Sequence, residues 1–322
     1  MPTRTLRTFP SADSWCLDSR TPNFATSDGQ GDVAFSCESA LPELGWNEVY
    51  SRDGTVNTRI NTFGLATGLA DGFVAFYVPF GNFKSDLTFT WFDGSWHSGG
   101  YSDKPGEGRA AATHAWRPVL VVRRSDQTTQ WHDEHGTPLR PAKTWPYVPL
   151  VFGVDSLGHA LIGQNTPYTA DGEIYATWID SDDQQVGLPF SWRDHPVSGP
   201  VEHVIGGGLL FNRTTLVRSG ELPQPAPAWF ASHTEPMTVV NGARAYAFTR
   251  SDPDSCAPTV TLFAPDGTEC GSISLIGRDS SCPQPAALGI DGTLIQVINT
   301  DVKDSNGFAY TIRRWWSAYL LR

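Results

Sequence analysis

Ala243-Arg244-Ala245-Tyr246-Ala247-Phe248-Thr249, then Val260-Thr261-Leu262-Phe263, the turn Pro265-Asp266-Gly267, and Cys270 to Ile276 form the stretch that decides how this chain folds. Each piece is β-prone and bounded by turn formers, the signature of short strands joined by loops and tight turns. A polar loop separates the second and third strands of the unit, and an Asp-Gly turn follows the aromatic that ends the third. The unit recurs along the chain, and a supersecondary unit repeated at a fixed period signals a stacked or radial architecture.

The turn after the third strand serves as a ruler. It falls at Asp53-Gly54, Asp93-Gly94, His135-Gly136, Asp182-Asp183, Ser219-Gly220 and Asp266-Gly267, with a degenerate copy near Ser317. Successive spacings from residue 54 are 40, 42, 47, 37, 47 and 50, a period expected of four-stranded propeller blades. Trp91, Trp131, Trp178, Phe263 and Trp315 precede these turns and suit packing between neighbouring blades. No window shows helical apolar spacing with a cap, and 31 glycines and 24 prolines punctuate the chain.

The sequence therefore predicts an all-β fold, a β-propeller of seven four-stranded blades in one domain spanning residues 1–322. The expected blades are 23–61, 62–109, 110–147, 148–199, 200–234, 235–281 and 282–322. The last lacks a fourth strand of its own. The β-capable segment 4–9 is positioned to supply it and close the ring, removing two exposed edges. Six or eight blades also fit the loose spacing, because the fifth copy is weak and proline-rich over 223–227.

Gly289-Ile290-Asp291-Gly292-Thr293-Leu294-Ile295, followed by a polar loop and an alternating strand, resembles the repeats of bacterial extracellular β-propellers of the integrin-like and WD40-like kind. The Asp-box of sialidases is echoed at Ser51-Arg52-Asp53-Gly54. The resemblance implies a fold, and fold does not imply function.

Charge excludes some classes. Twenty-three basic residues against 34 acidic give a net charge of −11, which repels phosphate backbones, so no nucleic-acid partner is expected. Apolar runs fall far short of the ~20 residues that span a bilayer, so no membrane insertion is expected. Met1 to Pro10 lacks the apolar run of a secretory signal. Cys16, Cys37, Cys256, Cys270 and Cys282 lack zinc spacing and leave a disulfide among the C-terminal three open, which points towards an oxidising, extracytoplasmic setting.

Three groups of residues carry candidate chemistry. Asp301, Asp304 and Asn306 form a D-x-x-D-x-N-G loop; integrin-like propellers hold calcium on D-x-D-x-D/N-G loops, a spacing from which this one departs. Ordinary turn chemistry is the competing reading. Trp96, Trp116, Trp145 and Trp192 lie between the ruler positions, either exposed for stacking on sugars or side chains or filling the core. Eight histidines are scattered over several repeats, His132 and His135 without the helix of H-E-x-x-H; no G-x-S-x-G nucleophile elbow occurs. The expectation is a monomeric, non-catalytic binding or scaffold module for a protein or carbohydrate ligand, with calcium as the one candidate cofactor. The alternative is a glycan-active hydrolase or lyase with an axial carboxylate/histidine site.

Overall fold

Alternating segments between turns become strands, and the strands assemble into seven antiparallel four-stranded sheets. The computed structural model describes residues 4–10, 24–37, 46–60, 66–77, 86–102, 109–112, 118–165, 175–191, 200–240, 244–251, 258–274, 286–303, 305 and 309–316. Blades 1 to 6 each order their strands as the chain does, within 24–60, 66–102, 109–144, 148–191, 201–225 and 237–274. Blade 7 takes three strands from 286–316 and its fourth from Arg4–Pro10, which pairs antiparallel with Ala309–Trp316 in the register Arg4 to Trp315 and Pro10 to Tyr310. The fold is an all-β, seven-bladed propeller closed by its N-terminal strand. Ser317, the last ruler position, lies outside the described residues; the fourth strand of its blade is drawn from the other end of the chain. Among the described residues the one helix is the single turn Ala228–Ala231, and no helix is long and apolar enough to cross a membrane.

Contacts divide the chain into two compact units, Met1–Tyr77, Thr88–Ser98 and Glu235–Arg322 in the first, Val78–Leu87 and Gly99–Thr234 in the second. In the first unit Phe35, Tyr50 and Trp315 meet at ring separations of 5.5 to 6.1 Å, joined by Val33 and Ile295. That cluster welds blade 7 to blade 1. Ala34, Val49 and Phe73 do the same for blades 1 and 2, and Ala247, Val260, Leu288 and Leu294 for blades 6 and 7. In the second unit Trp131 packs with Val154 and Ile162 across blades 3 and 4, and Trp178 with Leu209 and Phe211 across blades 4 and 5. Of the aromatics that precede the ruler turns, Trp131, Trp178 and Trp315 fill seams, whereas Trp91 stacks on His97 and Phe263 packs edge-on against Phe248 within their own blades. Truncating such a buried ring to alanine costs about 3–5 kcal/mol.

One turn recurs. In Asp28 to Asp32, Asp133 to Thr137, Asp155 to His159 and Asp180 to Gln184, the first carboxylate accepts hydrogen bonds from the amides two and four residues on, at 2.7 to 2.9 Å. The fourth residue is left-handed each time: Gly31, Gly136, Gly158 and, at a steric cost, Asp183. Blade 5 survives its proline-rich fourth strand because Gln224–Pro225 is two residues long and at a sheet edge.

Candidate functional site

The first unit carries an open cleft of about 350 Å³, lined by Gln30, Asp32, Ser51, Arg52, Asp53, Thr55, Asp71 and Phe92. Four segments bring these together. Gln30 and Asp32 belong to the first turn of blade 1, and Ser51 to Thr55 form the turn between its third and fourth strands. Asp71 sits in the first turn of blade 2, between Ala66–Leu69 and Gly72–Tyr77, and Phe92 ends the strand Asp86–Phe92.

The first turn of blade 1, which supplies Gln30 and Asp32, follows a residue held by close backbone approach. A Cβ on Gly68 would lie 2.0 Å from the Ser27 carbonyl oxygen, and one on Gly289 would lie 1.7 Å from Ser27 Oγ. Both neighbours of Ser27 therefore lack a side chain, so blades 2 and 7 press against blade 1 from either side. The Gly29 amide donates to the Leu69 carbonyl at 2.8 Å. Ser27 Oγ donates to Asp291, whose carboxylate also takes the Thr293 amide and hydroxyl at 2.8 Å each.

This seam buries acid. Asp28 is wholly buried; its Oδ1 accepts from Gln30 and Asp32 amides, and its Oδ2 has no hydrogen-bond partner among the described residues. Burial first, then the charge of Asp32, push its carboxyl up to about 8, which keeps it neutral. Asp32, 4% exposed, takes the Arg52 amide on Oδ1 at 2.7 Å. Burial pushes it up to about 6, helped by the charges of Asp71 and Asp53 and opposed by the Arg52 amide and charge. Asp53 contrasts with it: Oδ1 accepts the Ser51 hydroxyl at 2.6 Å, the Thr55 amide at 2.9 Å and the Thr55 hydroxyl at 2.7 Å. Those bonds hold this solvent-exposed carboxylate down at about 2. The cleft thus joins a protonatable, nearly buried acid to a permanently ionised one, with a guanidinium and an aromatic edge beside them. Phe92 is itself propped by Trp96, their rings 4.8 Å apart.

The second unit holds a comparable seam with different chemistry. Asp155 Oδ2 accepts the Ser219 hydroxyl at 2.6 Å and the Gly208 amide at 3.0 Å, and His159 Nδ1 lies 2.9 Å from Ser219 Oγ. Serine, histidine and aspartate meet here, but the serine stands between the other two. In a nucleophilic triad the histidine takes that middle place. The arrangement ties the first turn of blade 4 to blade 5.

The sequence candidates scatter. Trp96 is half-buried against the cluster of Ala34, Val49 and Phe73. Trp145 packs on the cluster of blades 3 and 4, donates to Thr129 Oγ1 at 2.9 Å and carries the Lys143 ammonium 4.3 Å above its ring. Trp116 and Trp192 lie outside the described residues. So do Asp304 and Asn306, while Asp301 falls in the strand Leu294–Lys303. Among the described residues no three His, Cys, Asp or Glu side chains group closely enough to hold a metal ion, and Cys270 is an exposed free thiol. None of the residues lining the cleft is among the candidates read from the sequence, where Ser51 to Asp53 enter only as a faint echo of the Asp-box. Asp28, Asp32 and Asp71 were legible only by following the first turn of each blade, where Asp28-Gly29, Asp71-Gly72 and Asp291-Gly292 repeat.

No protein-family model and no curated protein sequence matches the chain. Structural neighbours are β-propeller proteins. A streptogramin B lyase structure is 12% identical over 97% of each chain with a TM-score of 0.48. The Cps50 (Swd1) β-propeller domain of Myceliophteria thermophila is 11% identical over 98% of this chain and 99% of its own, with a TM-score of 0.47. A prolyl endopeptidase structure is 13% identical over 86% of this chain and 45% of its own, with a TM-score of 0.46.

Proposed function

We propose that this chain is a non-catalytic binding module that receives a protein or glycan ligand in the cleft of blades 1 and 2. The observation that supports it is the lining itself: hydroxyls, an amide, carboxylates, a guanidinium and one aromatic face, in a space sized for a side chain or a sugar. Few oriented polar groups around a concavity are what fixes a ligand. The described histidines supply no acid-base partner there; His97 pairs with Asp93 at 2.8 Å and His159 with Ser219. A panel of blocked peptides and neutral and charged oligosaccharides, titrated by calorimetry with product analysis by mass spectrometry, tests the reading. Saturable binding without turnover, weakened by Thr55→Ala, is expected; absence of binding across the panel contradicts it.

A second reading, a glycan-active hydrolase or lyase, draws support from the opposed shifts of Asp32 and Asp53, since acid and base roles separate where environments drive two carboxyls apart. Turnover of any oligosaccharide, lost in Asp32→Asn, would favour it.

A further inference from the structure

Two first turns of this chain are built alike and completed differently. In Asp28 to Asp32 of blade 1 and Asp155 to His159 of blade 4 the opening aspartate is wholly buried, and its amide donates to the carbonyl of the fifth residue at 3.1 and 2.8 Å. In both, its Oδ1 accepts the amides two and four residues on. Asp155 Oδ2 then takes two donors from the next blade, the Gly208 amide at 3.0 Å and the Ser219 hydroxyl at 2.6 Å. Asp28 Oδ2 has no hydrogen-bond partner among the described residues. The next blade accounts for the difference. Gly72 of blade 2 holds the place of Gly208 in blade 5, for a Cβ on either would run into the backbone of the third strand, at Thr90 and Trp91 or at Val217 and Arg218. One residue beyond that contact blade 5 presents Ser219, and blade 2 presents Phe92, whose ring carries no donor.

We infer that the first turn of blade 1 is a proton-operated latch on blade 2, closed with Asp28 neutral and opened by its ionisation, and that Phe92 in the place of a serine makes it so. Ionised, Asp28 would set a charge at a wholly buried site beside Asp32 of its own turn and Asp291 of blade 7, with two amides to hold it. A buried charge short of donors is costly. Burial first, then those carboxylates, push Asp28 up to about 8. Around Asp32 in turn stand Asp71 of blade 2 and Arg52 and Asp53 of the turn after the third strand of blade 1. Opening gives up the Gln30 and Asp32 amide bonds to Oδ1 and strains the Gly29 amide bond to the Leu69 carbonyl, at 2.8 Å, that ties the turn to blade 2. Gln30 and Asp32 line the cleft, so the proton on Asp28 sets the shape of that concavity. For an acid raised in the folded state, the closed form loses ground as pH climbs from the ordinary value towards the raised one, about tenfold per pH unit, and levels off above it.

Hydrogen exchange of single amides in the full, ligand-free chain tests the latch between pH 6.5 and pH 8, above the range in which Asp32 titrates. Corrected for intrinsic rate, protection of the Gln30 and Asp32 amides should fall about tenfold per pH unit. The Leu157 amide, which matches Gln30 in blade 4, should hold steady. Asp28→Asn should abolish the fall. Phe92→Ser, which returns a hydroxyl to the place of Ser219, should make it shallower. Flat protection of Gln30 and Asp32 in the wild type, a fall shared equally by Leu157, or a fall that persists in Asp28→Asn overturns the inference, and so does wild-type steepness in Phe92→Ser. No ligand enters the measurement, so its failure leaves the binding-module reading standing, and failure of the ligand panel leaves the latch standing.

Discussion

Asp28 shows what burial does to a single group. Its Oδ1 is used by two amides, its Oδ2 has no hydrogen-bond partner among the described residues, and burial pushes its carboxyl up from 3.8 to about 8. Between those values the folded chain holds a proton that the unfolded chain has released. The stability linked to that proton is complete below pH ~4 and drains away as pH rises through 8. Asn at this position keeps the acceptor for both amides and cannot ionise. The wild-type melting temperature should therefore fall between pH 5 and pH 8.5, and Asp28→Asn should flatten the fall. At pH 8.5 the variant should be the more stable by about 2 kcal/mol, on the order of 2 to 4 °C by differential scanning calorimetry. Slope remaining in the variant belongs to pH 4–6, where Asp32 titrates. Parallel curves for the two proteins would show that Asp28 is ionised in the fold.

At the scale of elements, the strand Arg4–Pro10 is the most exacting case, because it lies far in sequence from its partner. Removing residues 1–10 exposes the edge of Ala309–Trp316 and unpairs the sheet that carries Ile295 and Trp315 into the seam with Phe35 and Tyr50. The deletion should lower the melting temperature of the whole first unit and promote aggregation through the open edge, read by scattering during the melt. An unchanged melt would mean that the strand adds nothing to the sheet. The strands, their turns and this closure were legible because each leaves a signal in the sequence: alternation, an Asp-Gly turn, an aromatic at a fixed place, and a β-capable segment at 4–9 left over beside a blade short of one strand. Trp131, Trp178 and Trp315 reveal their burial through their position before a turn. The cleft was less legible, since Asp32 and Asp71 look like any turn acid until blades 1 and 2 are placed side by side. Ser27 gives no signal at all; its role comes from Gly68 and Gly289, 41 and 262 residues away in the chain.

For the whole molecule, the net charge of −11 and the acidic cleft act in the same sense. A surface of that sign slows the approach of anionic partners and speeds that of cationic ones, more so at low salt. Repeated turn chemistry builds the blades, and the cleft arises where three turns and one aromatic meet. The location of the bound ligand is therefore the most direct check. Amide resonances of the full chain should be mapped during titration with the tightest-binding peptide or oligosaccharide of the panel. The shifts are expected to cluster at Gln30, Ser51, Arg52, Thr55 and Asp71, with product analysis showing the ligand intact. Shifts confined to the second unit, around Leu157, Leu188 or Leu222, with none in the cleft, would contradict the account.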